Sequence, residues 1–129
     1  MTKILYAEDI DFLRNGISAD LANEPDFSVM ACDLAQEETL SELRKTNPDV
    51  LLLDVMSSTN IHEGLLIART LQDEPIRQQG KLKVLLLTIF RQDDEAIKEA
   101  LDQGLADDIV TKPTTSEIII KKIRTITGN

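Results

Sequence analysis

Positive charge is scarce in this chain: 14 Lys and Arg stand against 23 Asp and Glu in 129 residues, for a net charge of −9. That balance opposes direct binding to a nucleic-acid backbone. Aromatic residues are scarcer still, at 3% with no Trp, which removes the usual platform for stacking bases. A single cysteine, Cys32, excludes an internal disulfide, and its apolar surroundings in the sequence mark it for core packing. The single histidine, His62, lies in "NIHEG" with no second His or Cys near it, which argues against zinc. It is expected to be an exposed loop or helix-start residue. No apolar run approaches the roughly 20 residues of a membrane helix. The start "MTKILYAED" lacks the apolar region and cleavage site of a signal peptide, so a cytoplasmic chain with no membrane partner is expected.

The residues present are those of an ordinary globular domain, with 42% hydrophobic and 29% charged side chains. The length suits one domain over residues 1–129. Five short apolar runs, "ILYA", "VMAC", "VLLLD", "VLLLTI" and "IVTK", alternate with segments of helical spacing. Leu13, Ile17 and Leu21 form one stripe, Leu40 and Leu43 a second, and Leu65, Leu66, Ala68 and Leu71 a third. Ala96, Ile97, Ala100 and Leu101 form the fourth, and Ile119, Ile123 and Ile126 the last. Pro25 and Pro48 follow the first two helices, and Gly104 follows the fourth. Thr114 and Glu117 have capping-box spacing before the last helix. The stretch "LQDEPIRQQGKLK" reads as an extended third helix and loop, serving mainly as surface padding. Strands alternating with helices specify an α/β fold: a five-stranded parallel sheet, doubly wound, with helices on both faces.

In such a sheet ligands gather beyond the carboxyl ends of the strands. The first strand ends in Glu8 and Asp9, the third in Asp54, the fourth in Thr88 and the fifth in Lys112-Pro113; Asp33 ends the second, toward the sheet edge. Clustered carboxylates repel unless a cation lies among them, and hard oxygen donors suit Mg²⁺. Lys112 adds positive charge and Thr88 a hydroxyl. The set contains no general-base histidine, activated serine or thiol. It can make one carboxylate a nucleophile toward a phosphoryl group whose charge is neutralised by the cation and the lysine.

"ILYAED", "VLLLD", "VLLLT" and "ADDIVTKP", in that order and over nearly the whole chain, resemble the CheY-like receiver domain of two-component response regulators. "NEPDFSV" and "LLLTIFRQDDEAIKEALDQG" resemble its NarL/LuxR-type branch. The resemblance implies a flavodoxin-like (βα)5 fold of three α/β/α layers. It implies Asp54 as phosphoacceptor for a sensor histidine kinase, and Mg²⁺ held by Asp9, by Glu8 through water, by Asp54 and by the backbone carbonyl of Met56. Lys112 would pair with the acceptor and then with the phosphoryl group, toward which Thr88 would turn. The domain would be a self-phosphorylating switch rather than a turnover enzyme. It would form a homodimer on phosphorylation and act on DNA only through an output domain that this chain lacks. The alternatives are a stand-alone receiver or an interaction module that works without phosphate.

The chain departs from the family pattern in three ways. Ser57 and Ser58 stand where Met-Pro is usual, and Glu63-Gly64 comes about two residues late. A longer, freer loop with solvated Ser57, Ser58 and Thr59 is therefore expected. Ile109 replaces the usual aromatic three residues before the lysine, so no ring can swing there; Phe90 is expected to pack in a loop or helix start. Two other readings fit less well. Met56 occupies the place of the second acid that an aspartate-nucleophile phosphatase needs, and "AEDIDF" would repel the phosphate of a flavin nucleotide.

Overall fold

Val50, Leu51, Leu52 and Leu53 are fully buried, as an apolar run without alternation requires of a strand covered on both faces. A computed structural model describes residues 1–91 and 93–128. Its strands are β1 (Thr2–Ala7), β2 (Phe27–Cys32), β3 (Val50–Asp54), β4 (Lys83–Thr88) and β5 (Asp108–Thr111). Its helices are α1 (Asp11–Ala22), α2 (Gln36–Thr46), α3 (Glu63–Thr70), α4 (Pro75–Gln78), α5 (Glu95–Asp102) and α6 (Ser116–Thr127). The strands form one parallel sheet in the order β2-β1-β3-β4-β5. This is the five-stranded, doubly wound, flavodoxin-like arrangement expected from the sequence.

Alternate residues of each strand feed two cores. Leu5, Leu51, Leu53 and Leu86 pack with Leu43 of α2, Ile67 of α3 and Ile97 of α5. Ile4, Tyr6, Leu52 and Leu85 pack on the other face with Leu21 of α1 and Ile119 and Ile123 of α6. Cys32 lies in the first core, as its apolar setting implied. Asn47, in the left-handed conformation, ends α2 just before Pro48, and Gly104, at φ +72°, follows α5.

Three expectations change. The third helix is not extended: α3 gives way to a 3₁₀ turn at Leu71–Asp73, and α4 begins anew at Pro75. Proline has no amide to donate, and it holds Glu74 in an extended conformation at φ −84°, ψ 133°. Nor is this connection padding. Arg77 of α4 donates to the carbonyls of Leu82 (2.7 Å) and Gly104 (2.8 Å) and to the Asp107 carboxylate (2.7 Å). Asp107 also accepts the amide of Val84, so the segment straps β4 to the loop before β5. Finally, the cap of α6 is Thr115 rather than Thr114; its hydroxyl accepts the Ile118 amide. The run of three hydroxyl residues offers adjacent caps, and the helix takes the one that leaves Ile119 and Ile123 on the sheet.

Candidate functional site

Parallel pairing aligns the carboxyl ends of β1, β3 and β4: Ala7 is level with Leu53, and Asp54 with Leu87. The polar residues that follow therefore meet above one sheet edge. Lys112 Nζ donates to Asp54 Oδ2 at 2.8 Å and lies 3.9 Å from Glu8 Oε1. Glu8 and Asp54 are both buried. Burial first, then the neighbouring Asp54, pushes the Glu8 carboxyl up to about 8. Two of its contacts run to backbone amides, Asp9 N at 2.9 Å and Ile10 N at 3.5 Å. The carboxyl also accepts from the Tyr6 hydroxyl at 3.4 Å and hydrogen-bonds with the Asp54 side chain.

Asp9 is half-buried at the mouth of the cluster. Partial burial works to raise its carboxyl, but hydrogen bonds, led by the Ser58 amide at 2.7 Å, hold it below the usual range. That contact folds the loop after β3 over the first acid pair. The loop is not free, and its first serine is not solvated. Ser57 is buried and stands at the centre of the turn. Its hydroxyl accepts the amides of Thr59 (3.3 Å) and Asn60 (3.0 Å), while its own amide donates to the Asn60 carbonyl at 2.9 Å. A side-chain hydroxyl thus does locally what a φ-restricted proline does elsewhere. Ser58 and Thr59 are exposed, as expected.

Thr88 is buried, and its hydroxyl accepts the Phe90 amide at 2.9 Å. Phe90 packs on the core and meets the His62 ring at a centroid distance of 5.8 Å. His62 stands at the start of α3, the helix-start place expected, but it is half-buried rather than exposed. Asp33 stands apart at the edge, 3.9 Å from Arg14, whose guanidinium also donates to the Glu8 carbonyl at 2.7 Å. Ile109 is buried. The sequence reading did not single out Tyr6, Arg14 or Asn60, and it named Ser57 only as a solvated loop residue. Tyr6 alone left a signal, as a hydroxyl-bearing residue inside an apolar strand.

Glu8, Asp9 and Asp54 carry three potential negative charges against the single ammonium of Lys112. Among the described residues no three His, Cys, Asp or Glu side chains form a ready-made metal cage. The donor set instead suits a hard cation that keeps much of its water and uses few protein oxygens, which is the habit of Mg²⁺. Asp9 and Asp54 carry carboxylate oxygens of this hard type, and Glu8 is a buried acid in the same cluster.

The chain belongs to the response regulator receiver domain family, whose model matches residues 4–124. Among curated proteins it is 30% identical to the transcriptional regulatory protein LnrK of Bacillus subtilis, over 98% of this chain and 54% of that protein. It therefore spans about half the length of the curated relatives it matches. Among solved structures, a LuxR-family DNA-binding response regulator from Staphylococcus aureus aligns at a TM-score of 0.78 and 22% identity, covering 98% of this chain and 99% of that one. The response regulator TrrA of Thermotoga maritima, solved with Mg²⁺ and beryllium fluoride, aligns at 0.74 and 22%, over 98% of this chain and 99% of that one. These likenesses make the domain a two-component receiver. No helix among the described residues is long and apolar enough to cross a membrane.

Proposed function

We propose that this receiver is a cytoplasmic phosphorylation switch, with Asp54 accepting a phosphoryl group from the phosphohistidine of a sensor histidine kinase. The observation that carries the reading is the 2.8 Å Lys112–Asp54 pair set in a buried acidic cluster. An Asp54 oxygen attacks phosphorus, the P–N bond to the donor imidazole breaks, and the ring nitrogen keeps that electron pair. The product is an acyl phosphate on Asp54. Glu8, Asp9, Asp54 and the Met56 carbonyl would hold Mg²⁺, which supplies positive charge against the phosphoryl oxygens. Lys112, released from its pair as Asp54 loses its charge, contacts a phosphoryl oxygen. Thr88 gives up the Phe90 amide and turns its hydroxyl toward the same group.

With Ile109 in place of an aromatic, the structural change runs through the Thr88–Phe90 segment rather than through a swinging ring. The domain carries out its own phosphotransfer and hydrolysis and is not a turnover enzyme. Its output is transcription regulation, as the names of its relatives suggest, through a DNA-binding domain that residues 1–129 do not include. Phosphorylation favours a homodimer. The excess of acidic residues supports DNA contact by a separate domain. Incubation with acetyl phosphate and MgCl₂ should add one phosphoryl group by intact mass, and Asp54→Asn should abolish the addition. A folded wild-type protein with unchanged mass overturns the reading.

A further inference from the structure

Tyr6 is the only tyrosine of the chain and has no exposed surface. Strand alternation places it on the otherwise apolar face covered by α1 and α6. A hydroxyl buried there must find a partner. The partner is Glu8 Oε1, at 3.4 Å. Glu8 Oε2 is already held by the Asp9 and Ile10 amides; Oε1 lies 3.9 Å from the Lys112 ammonium, and the carboxyl also hydrogen-bonds with the Asp54 side chain. Burial, reinforced by the neighbouring acids, pushes the Tyr6 hydroxyl far above its ordinary range, so it remains a proton donor.

We propose that Tyr6 is a positioning residue for the cation site: its hydroxyl fixes the side chain of Glu8 beneath Asp54 and Lys112. The chemical need follows from the length of the Glu8 side chain. Glu8 is one methylene longer than an aspartate at the same place, and its three side-chain torsions must be ordered before its carboxylate can serve the site. The two amides fix one oxygen only. The tyrosine reaches the other from inside the core, where water does not compete. The inference rests on the reading of Glu8 as part of a Mg²⁺ site.

The test is a titration of the whole chain with MgCl₂, followed by the amide NMR signals of Asp54, Met56 and Ser58. Tyr6→Phe keeps the ring and removes only the hydroxyl. It should weaken Mg²⁺ binding about five-fold, less than a short hydrogen bond to a carboxylate would cost, because this contact is long at 3.4 Å. In a Glu8→Asp background, where the shorter arm no longer reaches the hydroxyl, the same change should have no further effect. With no Trp in the chain, the emission of Tyr6 itself should change along the same Mg²⁺ curve in the wild type. Unchanged affinity in Tyr6→Phe, or equal weakening in both backgrounds, overturns the positioning role while leaving the Mg²⁺ reading intact. If Tyr6→Phe does not fold, wild-type emission that stays silent while the amides respond has the same consequence. A wild type that shows no response to Mg²⁺ fails the cation reading itself, and the positioning role with it.

Discussion

Lys112 and Asp54 are 58 positions apart in sequence and 2.8 Å apart in space. Each was legible as a residue type at a strand end. Their contact depends on β3 and β5 flanking β4. Gly64 shows the limit of reading single residues, because nothing in "HEGLL" announces that this glycine presses on the acceptor strand. A β-carbon there would lie 2.1 Å from the Asp54 carbonyl oxygen and 2.7 Å from the Val55 α-carbon. Both are backbone atoms, so neither can turn aside. Gly64→Ala should cost about 2–4 kcal/mol in urea unfolding and slow acetyl phosphate labelling by displacing the loop from Asp9. Labelling at the wild-type rate with unchanged stability would show that α3 shifts freely.

At the scale of elements, the short α4 looked dispensable in sequence because its key contacts are distant. Arg77 is only a tenth exposed and ties three segments through Leu82, Gly104 and Asp107. Arg77→Ala leaves Asp107 and two carbonyls short of a donor. It should destabilise the domain by about 2 kcal/mol, a figure reduced from the fully buried case because Asp107 is partly exposed. Arg77→Lys should recover little of this, since one ammonium cannot span three acceptors. Thermal unfolding of both variants checks the pair, and full recovery by lysine would reduce the strap to a simple charge effect. The loop after β3 carries a similar lesson. Its lost proline was visible, but the replacement network at Ser57 was not, because hydroxyl–amide bonds between near neighbours depend on a backbone path that composition does not specify.

For the molecule as a whole, the acidic cluster sets a dependence on pH. The Glu8 carboxyl is raised from its ordinary 4.5 to about 8, so the fold binds this proton more tightly than the unfolded chain does. The stabilising contribution is full below about 4.5 and is lost as pH rises through about 8. Without divalent cation, stability should therefore carry a component that declines between those limits. Added MgCl₂ should stabilise more at pH 8 than at pH 6, because the site then needs no proton displaced. Melting temperatures on a grid of pH and Mg²⁺ test this, and a Mg²⁺ effect independent of pH would remove Glu8 from the site.

The sequence by itself determined the sheet, its two covered faces and the strand ends that carry Glu8, Asp9, Asp54, Thr88 and Lys112. Apolar runs without alternation can be satisfied only inside a parallel sheet, and such a sheet binds at one edge. Tertiary structure alone decided the rest: the strap from Arg77, the register of the last cap, the seat of Ser57 and the hydroxyl of Tyr6 beneath Glu8. Those features rest on single hydrogen bonds between groups whose closeness is created by folding, and periodicity reports which face a residue takes but not what it meets there.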